Sequence, residues 1–397
     1  MFKDHALIFY YHRLNSYSFN ALAGAIDTDP DIADIPIGIA LTAGDLREQI
    51  SEALRSHSRA IVAFSVMTCQ FEEISRLIQK LRSEHNERLI VLAGGPHVTA
   101  RPDEVLRAGV DIAFRGEAET SFPRVLKALF QGMDCAAIQS ADAPADLDRT
   151  LSFSQKRGMF GPIEITRGCA FACRFCQTSQ IFGVSLRHRS VEKITRQAES
   201  LRSINRKVVR LLSPNAFSYG SPDGRKLNMD AIRAMLAALR KSLPPDGRII
   251  FAHFPSEARP EHITSDTLSL LDEFADNDEI VIGAQSGSRR MLDVCGRTHT
   301  VRDVISAVAC ARKHGYKIIV DFMFGLPGEN DADRSESLSV MKEVVGMGAR
   351  IHPHIFAPLP QTAFSNEPSG LISPFFLDAM DEFRSRGAIY TGNRDKL

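Results

Sequence analysis

The first third of the chain alternates short apolar runs with amphipathic stretches. The apolar runs lie at residues 6–11, 36–41, 59–67, 88–93 and 111–114. Between the third and fourth runs, Phe71, Ile74, Leu77 and Leu81 recur at helical spacing. Strands that are apolar on both faces and separated by helices predict a parallel sheet covered on both sides. We therefore expect an N-terminal doubly wound α/β domain at residues 1–132, which binds a ligand at the carboxyl ends of its strands.

A second alternating series follows a stretch rich in Ala, Asp, Ser and Pro at residues 133–158, which we interpret as a linker. Its strands are predicted at residues 162–166, 207–212, 248–253, 279–284, 317–322 and 350–356. Six βα units are fewer than the eight of a closed barrel. The pattern predicts a partial (β/α)6 barrel at residues 159–364, and a closing helix with a tail at residues 365–397.

Polar, glycine or proline residues follow each of the six predicted strands. These clusters lie at residues 167–169, 213–215, 254–257, 285–288, 325–329 and 358–362. Barrel enzymes carry their chemistry at the carboxyl ends of the strands. We expect the active site at this rim.

Charge and cysteine usage narrow the class of protein. Lys+Arg and Asp+Glu both number 48, so the chain lacks the basic excess typical of proteins that bind nucleic acid through its phosphates. No apolar run approaches the roughly 18 residues of a membrane span, and the N-terminus has no signal-peptide layout. Three of the seven cysteines fall within eight residues, which favours metal binding in a reducing, cytoplasmic compartment over disulfides.

The clustered cysteines are Cys169, Cys173 and Cys176, just after the first barrel strand. Thiolates at this spacing on a loop can bind one four-iron cluster and leave its fourth iron open. An open iron can bind the amino and carboxylate groups of S-adenosylmethionine (SAM) and pass an electron to its sulfonium. Two alternatives remain: one face of a helix, or a zinc site with His188 as fourth ligand. Gly168 before the run favours a loop.

With Phe175 before the third cysteine, this motif resembles the radical SAM signature. Residues 165–168 and 325–329 resemble that superfamily too. The N-terminal sheet, with residues 94–97 and 115–119, resembles the cobalamin-binding domain that is fused to one branch of it. Together the resemblances cover nearly the whole chain. They imply three cofactors: a 4Fe-4S cluster, SAM and cobalamin.

The resemblance also implies a SAM site at the rim, with Phe175 against the adenine. The other candidates are Ser213, Pro214, Asn215, Glu257, Gln285, Ser286, Arg297 and Leu326. Arg297 suits the SAM carboxylate because a guanidinium can pair with it in a bidentate manner. The superfamily often has Gly-Gly-Glu where this chain has Ser213, Pro214 and Asn215. Each candidate also has a local interpretation as a turn former or a solvated helix end.

For cobalamin, the resemblance implies contacts from the loops after the N-terminal strands. The candidates are Met67, Thr68, Cys69, Gly94, Gly95, Pro96, His97, Gly116 and Glu117. Many such domains place a histidine below the cobalt through Asp-x-His-x-x-Gly, but here Tyr10 and Asn15 flank His12. We therefore expect no histidine on cobalt, with Met67, Thr68 or Cys69 facing its lower side. His97 can equally cap a turn, and Glu117 can favour a helix start.

Together these features predict a cobalamin-dependent radical SAM enzyme that methylates an unactivated carbon through a 5′-deoxyadenosyl radical and methylcobalamin. The alternatives are a ring-forming or rearranging enzyme without methyl transfer, a methylthiotransferase, and a non-catalytic cobalamin or redox sensor. We expect a small or lipid-like substrate, no nucleic acid, and an electron donor such as a ferredoxin or flavodoxin. Candidate substrate contacts at the rim are Tyr219, His253, His352 and His354.

Overall fold

The computed structural model describes residues 4–370 and 374–391. The chain forms two compact units, Met1–Pro162 and Ile163–Leu397. Within the described ranges, no helix combines the length and apolar character needed to cross a lipid bilayer.

The first unit is a parallel sheet with helices on both faces. Its strands are β1 (His5–Tyr10), β2 (Ile37–Ala40), β3 (Arg59–Ser65), β4 (Leu89–Gly94), β5 (Ile112–Arg115) and β6 (Ile138–Ser140). Its helices are α1 (Ser16–Thr28), α2 (Ala43–Ser56), α3 (Phe71–His85), α4 (Pro96–Ala100), α5 (Pro102–Arg107) and α6 (Ser121–Phe130). The strand order is β2-β1-β3-β4-β5-β6, and every pairing is parallel. The predicted α/β fold is confirmed.

Successive side chains of each strand point to opposite faces of the sheet, so the unit has one hydrophobic core on each side of the sheet. Ile8 and Val62 point into one core, and Leu7 and Ile61, their sequence neighbours, point into the other. All four side chains are at most 2% exposed. Burial on both faces is the reason that these strands appear in the sequence as continuous apolar runs.

The stretch interpreted as a linker has structure of its own. It contains β6, an edge strand that pairs with β5. Farther along, Phe153 is buried, and Arg157 forms an ion pair of 2.9 Å with Asp27 of the same unit. Because β6 is three residues long and mostly exposed, it has no apolar alternation that the sequence could reveal.

The second unit contains two three-stranded parallel sheets. Its strands are β7 (Ile163–Glu164), β8 (Thr166–Arg167), β9 (Arg187–His188), β10 (Val208–Leu212), β11 (Arg248–Ile250), β12 (Glu279–Gln285), β13 (Lys317–Phe324) and β14 (Arg350–Ile355). Its helices are α7 (Thr178–Phe182), α8 (Val191–Ser203), α9 (Met229–Ser242), α10 (Ser265–Phe274), α11 (Arg289–Val294), α12 (Val301–Lys313), α13 (Asp331–Gly346) and α14 (Pro374–Ser385). The sheets run β7-β10-β11 and β12-β13-β14, and an antiparallel pair, β8-β9, lies beside them.

A short bridge joins the two sheets. Ala258 pairs with Ile282 of β12, and the Val281 N–H donates to the Ala252 carbonyl at 3.0 Å. The parallel strands β7, β10, β11, β12, β13 and β14 therefore lie side by side in chain order, as predicted for a partial barrel. Part of the predicted tail adds to the far edge, where Ile351 of β14 pairs with Ile389. Residues 371–373 and 392–397 of the predicted C-terminal segment lie outside the described residues.

Candidate functional site

The three clustered cysteines lie on a loop between β8 and β9. Gly168 starts the loop with φ of +92°, and a Cβ there would lie 2.4 Å from the Ser185 carbonyl oxygen, so a side chain is excluded. The Cys169 N–H donates to the Gly183 carbonyl at 3.1 Å and closes the loop. None of the three cysteines is in a helix, so the alternative of one helical face is wrong.

Burial and hydrogen bonding have opposite effects on the pKa of two of the three thiols. Burial raises the pKa of Cys169 and of Cys176, while hydrogen bonds from backbone N–H groups oppose this at Cys169 and contacts with Thr178 oppose it at Cys176. Without a metal, Cys169 and Cys176 therefore retain their protons, and metal binding has to release them. Cys173 is 9% exposed and accepts a hydrogen bond from Nη1 of Arg297 at 3.6 Å.

His188 is not placed to complete a zinc site. Its Nδ1 accepts from Thr166 Oγ1 at 3.0 Å and from the Gly220 N–H at 3.3 Å. Its Nε2 lies 3.4 Å from the Ser221 carbonyl, so both ring nitrogens are engaged. The donor set of the loop is therefore three thiols, which suits an iron–sulfur cluster with one open iron better than a structural zinc ion.

Three of the predicted SAM residues converge on Gly283 of β12. A Cβ on Gly283 would lie 2.9 Å from Glu257 Oε2 and 3.0 Å from Gln285 Nε2. It would also lie 3.6 Å from Arg297 Nη2, which donates to the Gly283 carbonyl. The glycine thus leaves room for three polar side chains, from the loop after β11, the last residue of β12 and the loop after α11.

Asp321 extends this group into the partial barrel, and it is not among the residues predicted from the sequence. Its Oδ1 accepts a hydrogen bond from His352 Nδ1 at 2.9 Å and lies 3.7 Å from His354 Nε2. Burial alone raises the pKa of Asp321, but the contacts with the two histidines lower it below its usual value. Burial and the nearby Asp321 charge raise the pKa of Glu257 well above normal, so Glu257 is the protonated partner. The sequence does contain a signal for Asp321, because a carboxylate inside the otherwise apolar strand β13 is unusual.

Buried polar atoms without a protein partner mark the same region. Within the described chain they include Ser213 Oγ, Arg297 Nε and Asp321 Oδ2. Each such atom costs about 1–3 kcal/mol unless another group satisfies it. These atoms fit a polar ligand that brings hydroxyl, amino and carboxylate groups.

Two predicted contacts are engaged elsewhere. Asn215 donates through Nδ2 to His262 at 3.0 Å and accepts from the Arg259 N–H at 3.2 Å. Ser286 Oγ lies 3.2 Å from Ser337 Oγ and accepts from the Ser288 N–H at 3.1 Å. Both side chains hold the loops at strand ends in place. Pro214, between Ser213 and Asn215, is exposed.

Phe175 and Leu326 contribute to one small apolar cluster of this unit. Its buried members are Met291, Cys295, Leu326, Phe356 and Phe364, and Phe175 packs against them while partly exposed. A half-buried ring beside the cysteines offers an apolar surface to a planar ligand.

The candidate cobalamin residues lie at the carboxyl ends of β3, β4 and β5. Gly95 has φ of +99°, and a Cβ there would lie 2.8 Å from the Val66 nitrogen. Gly94 has ordinary space, and Gly116 has φ of +71°, where a Cβ would have no neighbour within 4 Å. Cys69 is exposed, and Met67 and Thr68 are partly exposed. An open edge of this kind is where ligands of doubly wound sheets bind.

Two of these candidates have partners inside the unit. His97, which follows Pro96, is 3% exposed and stacks on Phe71 with ring centroids 4.2 Å apart, and burial lowers its pKa. Glu117 accepts through Oε2 from the Ala145 N–H at 2.9 Å, which fixes the segment that follows β6.

The loop after β1 is organised by His12 and Asn15. Asn15 is buried and donates to the Ser65 carbonyl at 2.8 Å, joining the ends of β1 and β3. His12 Nδ1 accepts from the Leu14 N–H and lies 3.2 Å from Gln70 Nε2. Because Nδ1 accepts here, metal binding through Nε2 would require a proton on Nδ1 and would break the hydrogen bond from the Leu14 N–H.

Comparisons with known proteins agree with these two units. The radical SAM superfamily model matches residues 163–341, and the B12 binding domain model matches residues 15–126. An uncharacterized methyltransferase of Pyrococcus horikoshii is 24% identical over 356 residues, which cover 78% of this chain and 73% of that protein. A tRNA-2-methylthio-N(6)-dimethylallyladenosine synthase of Geobacter metallireducens is 25% identical over 341 residues, covering 84% of this chain and 74% of that protein.

Among solved structures, the fold is similar to that of TsrM from Kitasatospora setae, a radical S-adenosylmethionine methyltransferase determined with cobalamin and a 4Fe-4S cluster bound. The TM-score is 0.68 at 15% identity, and the match covers 92% of this chain and 74% of TsrM. This chain therefore belongs to the radical SAM superfamily, in the branch that carries an N-terminal B12-binding domain.

Proposed function

We propose that this protein is a cobalamin-dependent radical SAM methyltransferase acting on an unactivated carbon of a small or lipid-like molecule. The observation that carries the proposal is the loop of three thiols beside buried polar groups that have no protein partner. Ser213, Arg297 and Asp321 supply those groups. A ligand with the amino, carboxylate and hydroxyl groups of SAM matches their chemistry.

In this proposal the polar side chains around Gly283 bind SAM. Arg297 binds the SAM carboxylate next to the open iron, since its Nε is unpartnered and its Nη1 already reaches Cys173. Protonated Glu257 donates a hydrogen bond to a ribose hydroxyl or to Asp321, and Gln285 offers both a donor and an acceptor. Phe175 and Leu326 provide the apolar surface for the adenine.

Cysteines 169, 173 and 176 would hold the 4Fe-4S cluster, and the edge lined by Gly94, Gly95 and Gly116 would hold cobalamin. When bound, the cluster supplies the electron that breaks the C5′–S bond of SAM, and cobalamin supplies a methyl carrier. The engaged Nδ1 of His12 supports cobalamin binding without a histidine on cobalt. The protein's own part is to orient SAM and keep water away from the reacting carbon.

The proposal of methyl transfer is supported by the P. horikoshii relative and by TsrM, both of which are named methyltransferases. The likeness to a methylthiotransferase supports a second candidate. That chemistry uses a further cluster, however, and the first unit has only Cys69 and Cys135 as possible thiolate ligands. The match of this unit to a B12 binding domain favours cobalamin there instead.

Anaerobic reconstitution tests the proposal in two steps. Protein reconstituted with iron, sulfide and hydroxocobalamin and reduced with dithionite should convert SAM to 5′-deoxyadenosine, and Cys173→Ala should abolish this, whereas Cys310→Ala should not. SAM labelled in its methyl group should then transfer the label to bound cobalamin. Deoxyadenosine without labelled corrin would favour the ring-forming or rearranging alternative, and turnover that survives Cys173→Ala would refute the radical SAM assignment of the loop.

A further inference from the structure

Three side chains that can bind a metal ion meet on one face of the sheet β12-β13-β14. Strand register pairs Asp321 of β13 with His352 of β14, and pairs Met323 with His354. Because successive side chains of a strand alternate between the two faces, Asp321, His352 and His354 share one face. One carboxylate oxygen and two imidazole nitrogens all lie within 4.8 Å of one another. We call these three residues the Asp-His-His group.

The distances within this group are typical of ligands around a shared ion. Asp321 Oδ1 lies 2.9 Å from His352 Nδ1 and 3.7 Å from His354 Nε2. The longer distance exceeds that of a hydrogen bond. Ligands that bind one zinc ion at about 2.0–2.1 Å are about 3.3 Å from each other, a value between the two. Hydrogen bonding to Asp321 therefore does not explain the position of His354.

The negative charge of Asp321 is not balanced by a lysine or an arginine. Its side chain is 1% exposed, and within the described chain the ion-pair partners closer than 4.0 Å are the two histidines. Arg350, at the start of β14, is paired with Glu279 instead. A buried carboxylate is normally paired with a cation or bound to a metal ion. A divalent ion bound through Oδ1 would balance the charge and leave Oδ2 as an acceptor for SAM.

Neighbouring rings hold the His352 side chain in place. Phe254 and Tyr390 contact it edge-on, each with a centroid distance of 5.4 Å. The His354 ring lies against it with centroids 4.2 Å apart. Side chains fixed by packing on strands make precise metal sites. The two histidine side chains are 26% and 40% exposed, so an ion can reach them from solvent.

We propose that Asp321, His352 and His354 bind one divalent transition-metal ion of the zinc type. Two imidazoles and one carboxylate are a donor set that such ions bind readily. Three protein ligands leave at least one coordination position open. That position takes an oxygen atom of the substrate, which is therefore expected to carry a carboxylate or carbonyl group.

The strand register gives the ion a task in methyl transfer. Asp321 pairs with Gly283 of β12, the residue around which Glu257, Gln285 and Arg297 converge. A substrate bound to the ion through oxygen would be held beside the residues proposed to bind SAM. The ion would position and polarise the substrate, and its own charge would not change. This task rests on the proposed function, whereas binding of the ion does not.

A simpler alternative is that both histidines only donate hydrogen bonds to Asp321. His352→Asn and His354→Gln separate the two possibilities, because an amide keeps an N–H donor but its nitrogen has no lone pair for a metal. The matched control is His314→Asn. His314 Nδ1 lies 2.7 Å from Asp272 Oδ2, and this pair belongs to no three-ligand group in the described chain.

The test measures zinc in the full chain. Each protein is reconstituted with iron and sulfide, incubated with zinc chloride, desalted and analysed for both metals. X-ray absorption at the zinc edge then identifies the donor atoms. We expect about one zinc ion per chain, bound by nitrogen and oxygen at about 2.0–2.1 Å without sulfur at about 2.3 Å. His314→Asn should match the unaltered protein.

His352→Asn and His354→Gln should each weaken zinc binding about 100-fold or more, because loss of a partner behind a ligand already costs about 10–100-fold. Their iron content should stay unchanged. Zinc should raise the midpoint of thermal unfolding in the unaltered protein and not in these two variants. Acetohydroxamate, a bidentate oxygen ligand, probes the open position. Calorimetry should detect its zinc-dependent binding in the unaltered protein and the control only.

Each other outcome has a definite meaning. Zinc bound through sulfur, or zinc affinity unchanged by both histidine substitutions, would overturn the metal site. Zinc bound by nitrogen and oxygen without affinity for acetohydroxamate would overturn its task in holding a substrate. Zinc binding is measured without SAM. Absence of 5′-deoxyadenosine with SAM and dithionite would therefore refute the proposed function, while the zinc measurements would still decide the metal site.

Discussion

Arg297 and Cys173 are joined by a hydrogen bond in which Nη1 of the arginine lies 3.6 Å from Sγ of the cysteine. The same guanidinium donates through Nη2 to the Gly283 carbonyl, while its Nε has no partner within the described chain. One side chain therefore links the metal-binding loop to the strand ends where Glu257 and Gln285 converge. It retains one free donor for a ligand.

Arg297→Lys should weaken SAM binding although it keeps the charge, because lysine cannot form the planar fork that pairs with a carboxylate. We expect the dissociation constant of SAM to rise about tenfold, which corresponds to about 1.4 kcal/mol. The measurement is SAM titration of the reduced, reconstituted protein by EPR. Iron content should stay unchanged, and Arg289→Lys, an exposed residue paired with Asp293, is the control. An unaltered dissociation constant would remove Arg297 from the SAM site.

Glu257→Gln and Asp321→Asn should differ, although both replace a buried carboxyl group with an amide. Because burial raises the pKa of Glu257, glutamine resembles its protonated form, and we expect a loss of less than about 1 kcal/mol in unfolding free energy. Asp321→Asn removes the charge that holds His352 and should cost about 1.5–3 kcal/mol. Urea unfolding measures both values. A larger loss for Glu257→Gln would mean that the charge resides on Glu257.

Replacement by alanine should lower the unfolding free energy by different amounts at the adjacent glycines Gly94 and Gly95. Gly95→Ala places a methyl group 2.8 Å from the Val66 nitrogen at φ of +99° and should cost about 2 kcal/mol or more. Gly94→Ala meets its nearest atom, Phe114 Cβ, at 3.6 Å and should cost less than about 1 kcal/mol. Urea unfolding of the two variants tests this, and equal losses would contradict the strained turn at Gly95.

Stability should fall in mild acid because His299 remains neutral in the folded protein. Burial, with the nearby Arg297 and Arg259, lowers the pKa of His299 to about 2. The unfolded chain takes up a proton at this histidine below about pH 6.5, and the folded chain does not. The unfolded state therefore gains stability as pH drops, by up to about 1.4 kcal/mol per pH unit.

His299→Gln should remove this contribution. Between about pH 6 and pH 5, unfolding free energies of the variant should decline less steeply than those of the unaltered protein. His262, whose pKa burial also lowers, should leave a residual slope. Identical slopes with and without His299 would show that this histidine takes up its proton in the folded state too.

The sequence by itself determined the features that depend on neighbours along the chain. Strands such as β3 and β4 are buried on both faces, so their apolar runs were visible without a structure. The cysteine motif was equally visible, because three thiolates that bind one cluster from a single loop must be close in sequence. Gly168 indicated the loop for the same local reason.

Only the tertiary structure decided which polar groups meet. Glu257 and Asp321 are 64 positions apart, and their pairing in the barrel interior makes one of them neutral and the other charged. Asn215 was a plausible SAM contact until His262 was found bonded to it. A side chain's partners and charge depend on which strand ends are adjacent in space, and the local pattern of apolar residues carries no record of that adjacency.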